Sequence, residues 1–339
     1  MTRGAWSKVP LKDESLIARS SQCLAVLDDG HAVIFSGEHL PRTPIDNITY
    51  DVDLSNGQVK QISGDAPVPR VGASIAADGD RFYLWGGRGG TAMEPLTGED
   101  LGVWTLKKDE SWQKLPAAGG SQPEPKSYHC ANVVDHRLFI HAGCPTKGRS
   151  AQLHSYDPKD NAWTQLADAP APGRGGTVLA ASIHAGRNVL IRWGGFAGFE
   201  LGADNSLDVY DVSSNEWNTF HPSPDPLHGL PGPRSVHGFV GITEGPVSAV
   251  LFYGEREASA LGHAGAGAFW DDVWALHWDE KQEGETGGYS WRRVEVEGER
   301  PEQRGWFAST GYKDGIVMHG GLLSDNTRSD ELWVLKLSQ

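Results

Sequence analysis

Six times in this chain an aromatic or imidazole residue, one further residue and a glycine close a short apolar run. The triplets are Phe35-Ser36-Gly37, Trp85-Gly86-Gly87, His141-Ala142-Gly143, Trp193-Gly194-Gly195, Phe252-Tyr253-Gly254 and His319-Gly320-Gly321. They lie about 50 to 70 residues apart, a period that marks an array of one repeated supersecondary unit. Around each triplet the same features recur in order. A proline-rich loop leads to a basic residue (Arg19, Arg70, Lys126, Arg174, Arg234, Arg304) and a first strand, and the apolar run ending in the glycine is the second. A third strand often ends in Tyr-Asp, as at Tyr50-Asp51, Tyr156-Asp157 and Tyr210-Asp211. The fourth is marked by Trp112, Trp163, Trp217 or Trp291, with Val59 at that place in the first copy. β-branched and aromatic residues suit such pleated, half-buried positions. The chain therefore reads as all-β, four strands to a unit.

The sixth unit reaches Gln339 with only three strands. The missing one is found at the other end, where Ala5-Trp6-Ser7-Lys8-Val9 repeats the pattern of Ala162-Trp163-Thr164-Gln165-Leu166. A strand from the N-terminus is expected to complete the last unit, which closes a ring and removes exposed sheet edges. Glycine pairs, Tyr-Asp and tryptophan together resemble the kelch repeat. That resemblance implies a six-bladed kelch β-propeller, a single domain over residues 1–339 with no appended domain.

Composition narrows the partners. The 339 residues are 38% hydrophobic, enough for a sizeable core. A net charge of −14 argues against nucleic acid and anionic membranes. Cys23, Cys130 and Cys144 show no C-x-x-C spacing and cannot form a disulfide framework. No signal-like core or membrane-length apolar run is present, so a cytoplasmic protein is expected.

Successive turns of a four-stranded meander alternate between its two ends. The residue after each repeat glycine (Glu38, Arg88, Cys144, Phe196, Glu255, Leu322) therefore faces the same end of the ring as the six basic strand starts. The longest loops there run from Arg88 to about Asp100 and from Glu255 to about Trp270, and loops on a rigid scaffold carry binding residues. Arginines gathered on an acidic protein suit a small anionic molecule, because guanidinium forks match carboxylate, sulfate or phosphate. The basic strand starts belong to the repeat and are expected mostly to bridge neighbouring blades. Arg88 and Arg149 fall outside that repeat position.

Glu255 and His263 lie eight apart on a loop rich in glycine (Gly262, Gly265, Gly267). A carboxylate and an imidazole suit zinc, manganese or ferrous iron. The bland alternative has Glu255 paired with Arg256 or a basic strand start, and His263 bonded to a backbone carbonyl. Cys144 has no adjacent base in the sequence and reads as inert packing. His129 and His237, at matching first-strand positions, read as structural.

Gly254-Glu255, seven residues, His263 and then Gly265-Ala266-Gly267 resemble the plant kelch-type specifier proteins, which are nitrile-, epithionitrile- and thiocyanate-forming. The resemblance covers the whole chain. It implies a ferrous iron site with Glu255 and His263 as its outer ligands. The family's middle aspartate is Ser259 here, so a weak Fe(II) site is expected. It also implies that Arg88 and Arg149 hold a substrate sulfate, with Trp306 at the pocket, and the face argument adds Glu38. The implied reaction is a metal-dependent, lyase-like breakdown of a glucosinolate aglucone. Two other readings stay open: a metal-free sialic-acid mutarotase-like isomerase whose arginines grip a carboxylate, and a kelch scaffold binding a protein partner through the same face.

Overall fold

The computed structural model describes residues 2–12, 16, 18–279, 288–313 and 315–338; Met1 and Gln339, the ends of the expected single domain, lie outside the described residues. Among these residues the strands form six antiparallel meanders arranged as a six-bladed propeller. Blade 1 is Cys23–Val26, His31–Phe35, Thr49–Asp53 and Gln58–Ile62. Blade 2 is Ser74–Asp78, Arg81–Trp85, Trp104–Lys107 and Gln113–Lys114. Blade 3 is Cys130–Val134, Arg137–His141, Leu153–Asp157 and Ala162–Gln165. Blade 4 is Val178–His184, Arg187–Trp193, Leu207–Asp211 and Glu216–Phe220. Blade 5 is Gly238–Gly241, Val247–Phe252, Val273–Asp279 and Gly288–Arg293. Blade 6 is Ala308–Tyr312, Gly315–His319, Leu332–Ser338 and the N-terminal Arg3–Lys8. That last strand runs antiparallel to Leu332–Ser338 with Trp6 opposite Leu335, so the ring closes as the repeat implied. No helix among the described residues is long and apolar enough to cross a membrane.

The core is divided into six layers, one between each pair of blades. Along a strand, alternate side chains point to opposite faces, so each second strand serves two layers. In blade 1, Val33 and Phe35 pack against Phe82 and Leu84 of blade 2. Ala32 and Ile34 pack the other way, against Val317 and Leu332 of blade 6. Apolar residues on both faces explain why these strands read as continuous apolar runs.

Two hydrogen-bonded rings tie the blades together at the axis. The amide of each repeat glycine donates to the carbonyl of the next blade's basic residue, from Gly37 to Arg70 around to Gly321 and Arg19, at 2.8 to 3.1 Å. These glycines have φ between 95° and 106°, which an L side chain rarely adopts. A second ring runs through the residue two places after each basic residue. Ser21, Gly72, Tyr128, Gly176, Val236 and Trp306 each donate to the preceding member's carbonyl, and Ser21 closes the circle on Trp306, at 2.7 to 3.0 Å. All six have positive φ, from 46° to 61°. For β-branched Val236 that conformation is strained, and the circle of amide bonds holds it.

The basic strand starts correct an expectation. They lie behind the open face, and their side chains pin their own blades. Arg19, Arg70, Arg174, Arg234 and Arg304 are buried. Each donates from Nη1 to the carbonyl of its own triplet's middle residue, at 2.9 to 3.1 Å. The bridge to the neighbouring blade is made by their backbone carbonyls. Lys126 is shorter, and its Nζ instead lies 3.4 Å from Ser150 Oγ.

Candidate functional site

Each residue after a repeat glycine forms a one- or two-residue antiparallel bridge with the residue after a basic strand start. The pairs are Ser20 with Glu38, Val71 with Arg88, Ser127 with Cys144, Gly175 with Phe196, Ser235 with Glu255 and Gly305 with Leu322. These bridges turn Glu38, Arg88, Cys144, Phe196, Glu255 and Leu322 toward the axis, where they line one cavity of about 400 Å³. Tyr128, Gly176, Val236 and Trp306 of the axial ring also line it, and loop residues Arg149, Ser259, His263 and Arg328 complete the wall. All seven site residues expected from the sequence (Glu38, Arg88, Arg149, Glu255, Ser259, His263 and Trp306) are brought together here.

The two arginines are held by neutral groups. Arg88 Nε donates to Ser127 Oγ at 2.7 Å, and its guanidinium lies 5.6 Å from the Tyr128 ring. The Arg149 guanidinium lies 4.8 Å over Phe196. Both act on Cys144: burial raises its thiol pKa, and the charges of Arg149 and then Arg88 oppose that. At the rim, burial raises the Glu38 carboxyl pKa against the Arg42 amide, which donates at 2.7 Å, and against Arg328.

Glu255 is in a different environment. It is only 6% exposed. Burial, and then the charge of Glu200, push its carboxyl up to about 7, opposed by a hydrogen bond from the Trp306 side chain. Trp306 also meets the edge of the His263 ring, with centroids 6.3 Å apart. Burial, then Arg42 and Arg88, hold the His263 imidazole below its usual pKa, favouring the neutral ring at neutral pH. The cations of the bland alternative do not reach Glu255: Arg256 lies 5.7 Å from the Trp270 ring, and the strand-start Arg234 pairs with Asp272.

The donor set fits a resident iron poorly. Among the described residues no group of three or more His, Cys, Asp or Glu side chains is placed to hold a metal ion. At the middle position, Ser259 Oγ accepts the Leu261 amide at 3.1 Å, closing its own turn. One carboxylate and one imidazole remain, flanking an indole. We propose that ferrous iron, where Glu255, Ser259 and His263 meet it, is held weakly.

The chain is the whole-ring version of a known repeat. The KLHDC2/KLHL20/DRC7 Kelch-repeats domain matches residues 23–254. It belongs to the kelch-repeat family. This kelch propeller is 27% identical to the N-(sulfonatooxy)prop-2-enimidothioate sulfolyase of Thlaspi arvense, over 98% of its own length and 96% of the relative's. It is 22% identical to Kelch domain-containing protein 2 of Bos taurus, over 80% of this chain and 68% of that one. The solved structure of YjhT superposes with a TM-score of 0.70 at 15% identity, covering 97% of this chain and 99% of that one. That last likeness is one of fold alone.

Sequence reasoning missed Tyr128, Arg328 and Glu200. Aligning the six units on their basic residues would have placed Tyr128 at the ring position of Trp306. For Arg328, which comes from the blade 6 loop, and for Glu200, which approaches Glu255 from the blade 4 loop, no repeat signal exists.

Proposed function

We propose that this kelch propeller binds a small organic anion in its axial cavity and acts on it as a lyase. The observation that carries the reading is the pair Arg88 and Arg149, whose partners in the cavity are a hydroxyl and aromatic rings, with no carboxylate among them. A guanidinium so placed keeps its fork free for a sulfate, carboxylate or phosphate. Phe196, Tyr128 and Trp306 supply apolar surface beside it, and a cavity of about 400 Å³ suits a small ligand. The sulfolyase relative points to an O-sulfated imidothioate as the substrate class. In that reaction Arg88 and Arg149 would stabilise the departing sulfate, while the aromatic wall excludes water from the fragment left behind.

A protein partner is the second reading. Exposed Leu40, Phe199 and Leu261 are carried by the loops around the mouth, and the resemblance to Kelch domain-containing protein 2 supports it. The experiment is sulfate release from N-(sulfonatooxy)prop-2-enimidothioate above its spontaneous rate. Release by the wild type that drops about a hundredfold in Arg88→Ala supports the lyase, in line with losing a preorganised donor. No release above the spontaneous rate overturns it.

A further inference from the structure

The charges in the cavity are sorted, and the sorting follows from the ring. Arg88 and Glu255 occupy the same repeat position, in the bridges Val71–Arg88 and Ser235–Glu255. Their blades, 2 and 5, stand three apart in a ring of six, hence on opposite sides of the axis. Arg149 belongs to Arg88's side, since both guanidinium charges act on the Cys144 thiol.

The opposite side is acidic and lacks a counter-charge. Glu255 is nearly buried and faces the cavity, and its side-chain partner is the Trp306 side chain rather than a cation. Behind it, Glu200 has a buried Oε1 with no hydrogen-bond partner. Burial and the charge of Glu257 both raise the Glu200 carboxyl pKa. The other two buried carboxylates among the described residues each meet a cation. Asp272 takes two hydrogen bonds from Arg234, at 2.5 and 3.0 Å, and Asp208 pairs with Arg192. Glu255 is the exception; across the axis half-buried Arg88 and exposed Arg149 also lack a carboxylate partner among the described residues, while Glu38 at the rim faces Arg42 and Arg328. Uncompensated buried charge is costly, and the missing partners are those that a ligand of matching polarity brings. At the acidic pole a carboxylate beside an indole is the arrangement that holds an ammonium group, by charge and by cation–π attraction.

We propose that the ligand is amphoteric, with its anionic group on Arg88 and Arg149 and a protonated amine on Glu255 and Trp306, joined by a short apolar span over Tyr128 and Phe196. This rests on the anion reading above and names the substrate's second end. The amine donates to Glu255, and the charge of Glu200 behind strengthens its hold.

Matched probes test it: ω-aminoalkanesulfonates against alkanesulfonates of the same chain length, titrated calorimetrically into the wild type, Glu255→Gln and Arg88→Ala. The wild type is expected to bind the best amino probe at least about tenfold more tightly than its amine-free match, the ratio that about 1.4 kcal/mol gives. Glu255→Gln keeps the carboxyl's shape and should remove that preference while leaving the amine-free sulfonate bound as before. Arg88→Ala should weaken both probes alike. Equal wild-type affinity for the two probes, or a preference that survives Glu255→Gln, overturns the amine subsite and leaves the anion reading standing. Binding of neither probe overturns the anion reading and this inference together.

Discussion

Ser259 is the residue on which iron binding turns. Its hydroxyl is a neutral, weak donor already used by its own turn, whereas an aspartate there would add charge and a strong oxygen ligand between Glu255 and His263. Anaerobic titration with ferrous iron is expected to show weak heats for the wild type and clear saturable binding for Ser259→Asp, with a rise in melting temperature when iron is present. Equal and negligible heats for both would falsify the metal reading and leave the arginine pocket untouched. Glu255 gives a second residue-level forecast. Its carboxyl sits at about 7 in the fold against a usual value of 4.5, so between those values the folded state holds a proton that the unfolded chain has released. The stability it contributes is full below about pH 4.5 and is lost as pH rises through about 7. Denaturant unfolding should show the wild type losing about 3 kcal/mol more than Glu255→Gln between about pH 5 and 8, from ~1.4 kcal/mol per pKa unit; parallel profiles would contradict this environment. Glu38, Arg88 and Glu255 were legible because register after a glycine fixes which way a side chain points. Glu255's hydrogen-bonding partner was not legible, because Trp306 comes from the next blade and the register within one blade does not say which side chains its neighbour presents.

The blades differ at one element in a way that can be measured. Five first strands begin with an arginine that reaches the carbonyl of its own triplet, and blade 3 begins with buried Lys126, which does not. Burial lowers the Lys126 ammonium to about 8. Lys126→Arg should restore the missing bond to the Ala142 carbonyl and gain about 1 kcal/mol in denaturant unfolding, the ordinary net worth of such a bond; a loss of stability would mean the blade 3 site is shaped for lysine. The closing strand is the other test at this scale. Burial alone would raise the Glu331 carboxyl, but hydrogen bonds from Lys8, Arg304 and Trp333 hold it at about 2. Lys8 lies on the N-terminal strand and Arg304 at the start of blade 6, so Glu331 fastens the closure. Removing the segment through Pro10 should leave the outer edge of Leu332–Ser338 unpaired and lower the melting temperature by about 10 °C or more. An unchanged melting point would sink the closing role.

At the scale of the whole molecule, the ring was legible because a sixfold repeat leaves few architectures open, and the Trp6 segment supplied the one missing strand. The two hydrogen-bonded circles at the axis were not, since backbone partners carry no residue-type signature beyond glycine. Tyr128, Gly176, Val236 and Trp306 of the second circle line the cavity, so the hydrogen bonds that join the blades also hold its wall. Arg88 and Arg149 form a cationic pole on a chain of net charge −14, Arg88 half-buried in the cavity wall and Arg149 exposed at its edge. The proposed activity requires that pole to take an organic anion. Titration of an alkyl sulfate into the wild type and into the Arg88→Ala, Arg149→Ala double variant tests it most directly. One site per chain, with affinity falling at least about a hundredfold in the variant, about 2.7 kcal/mol, is the predicted result; a variant that folds and binds as well as the wild type would contradict it.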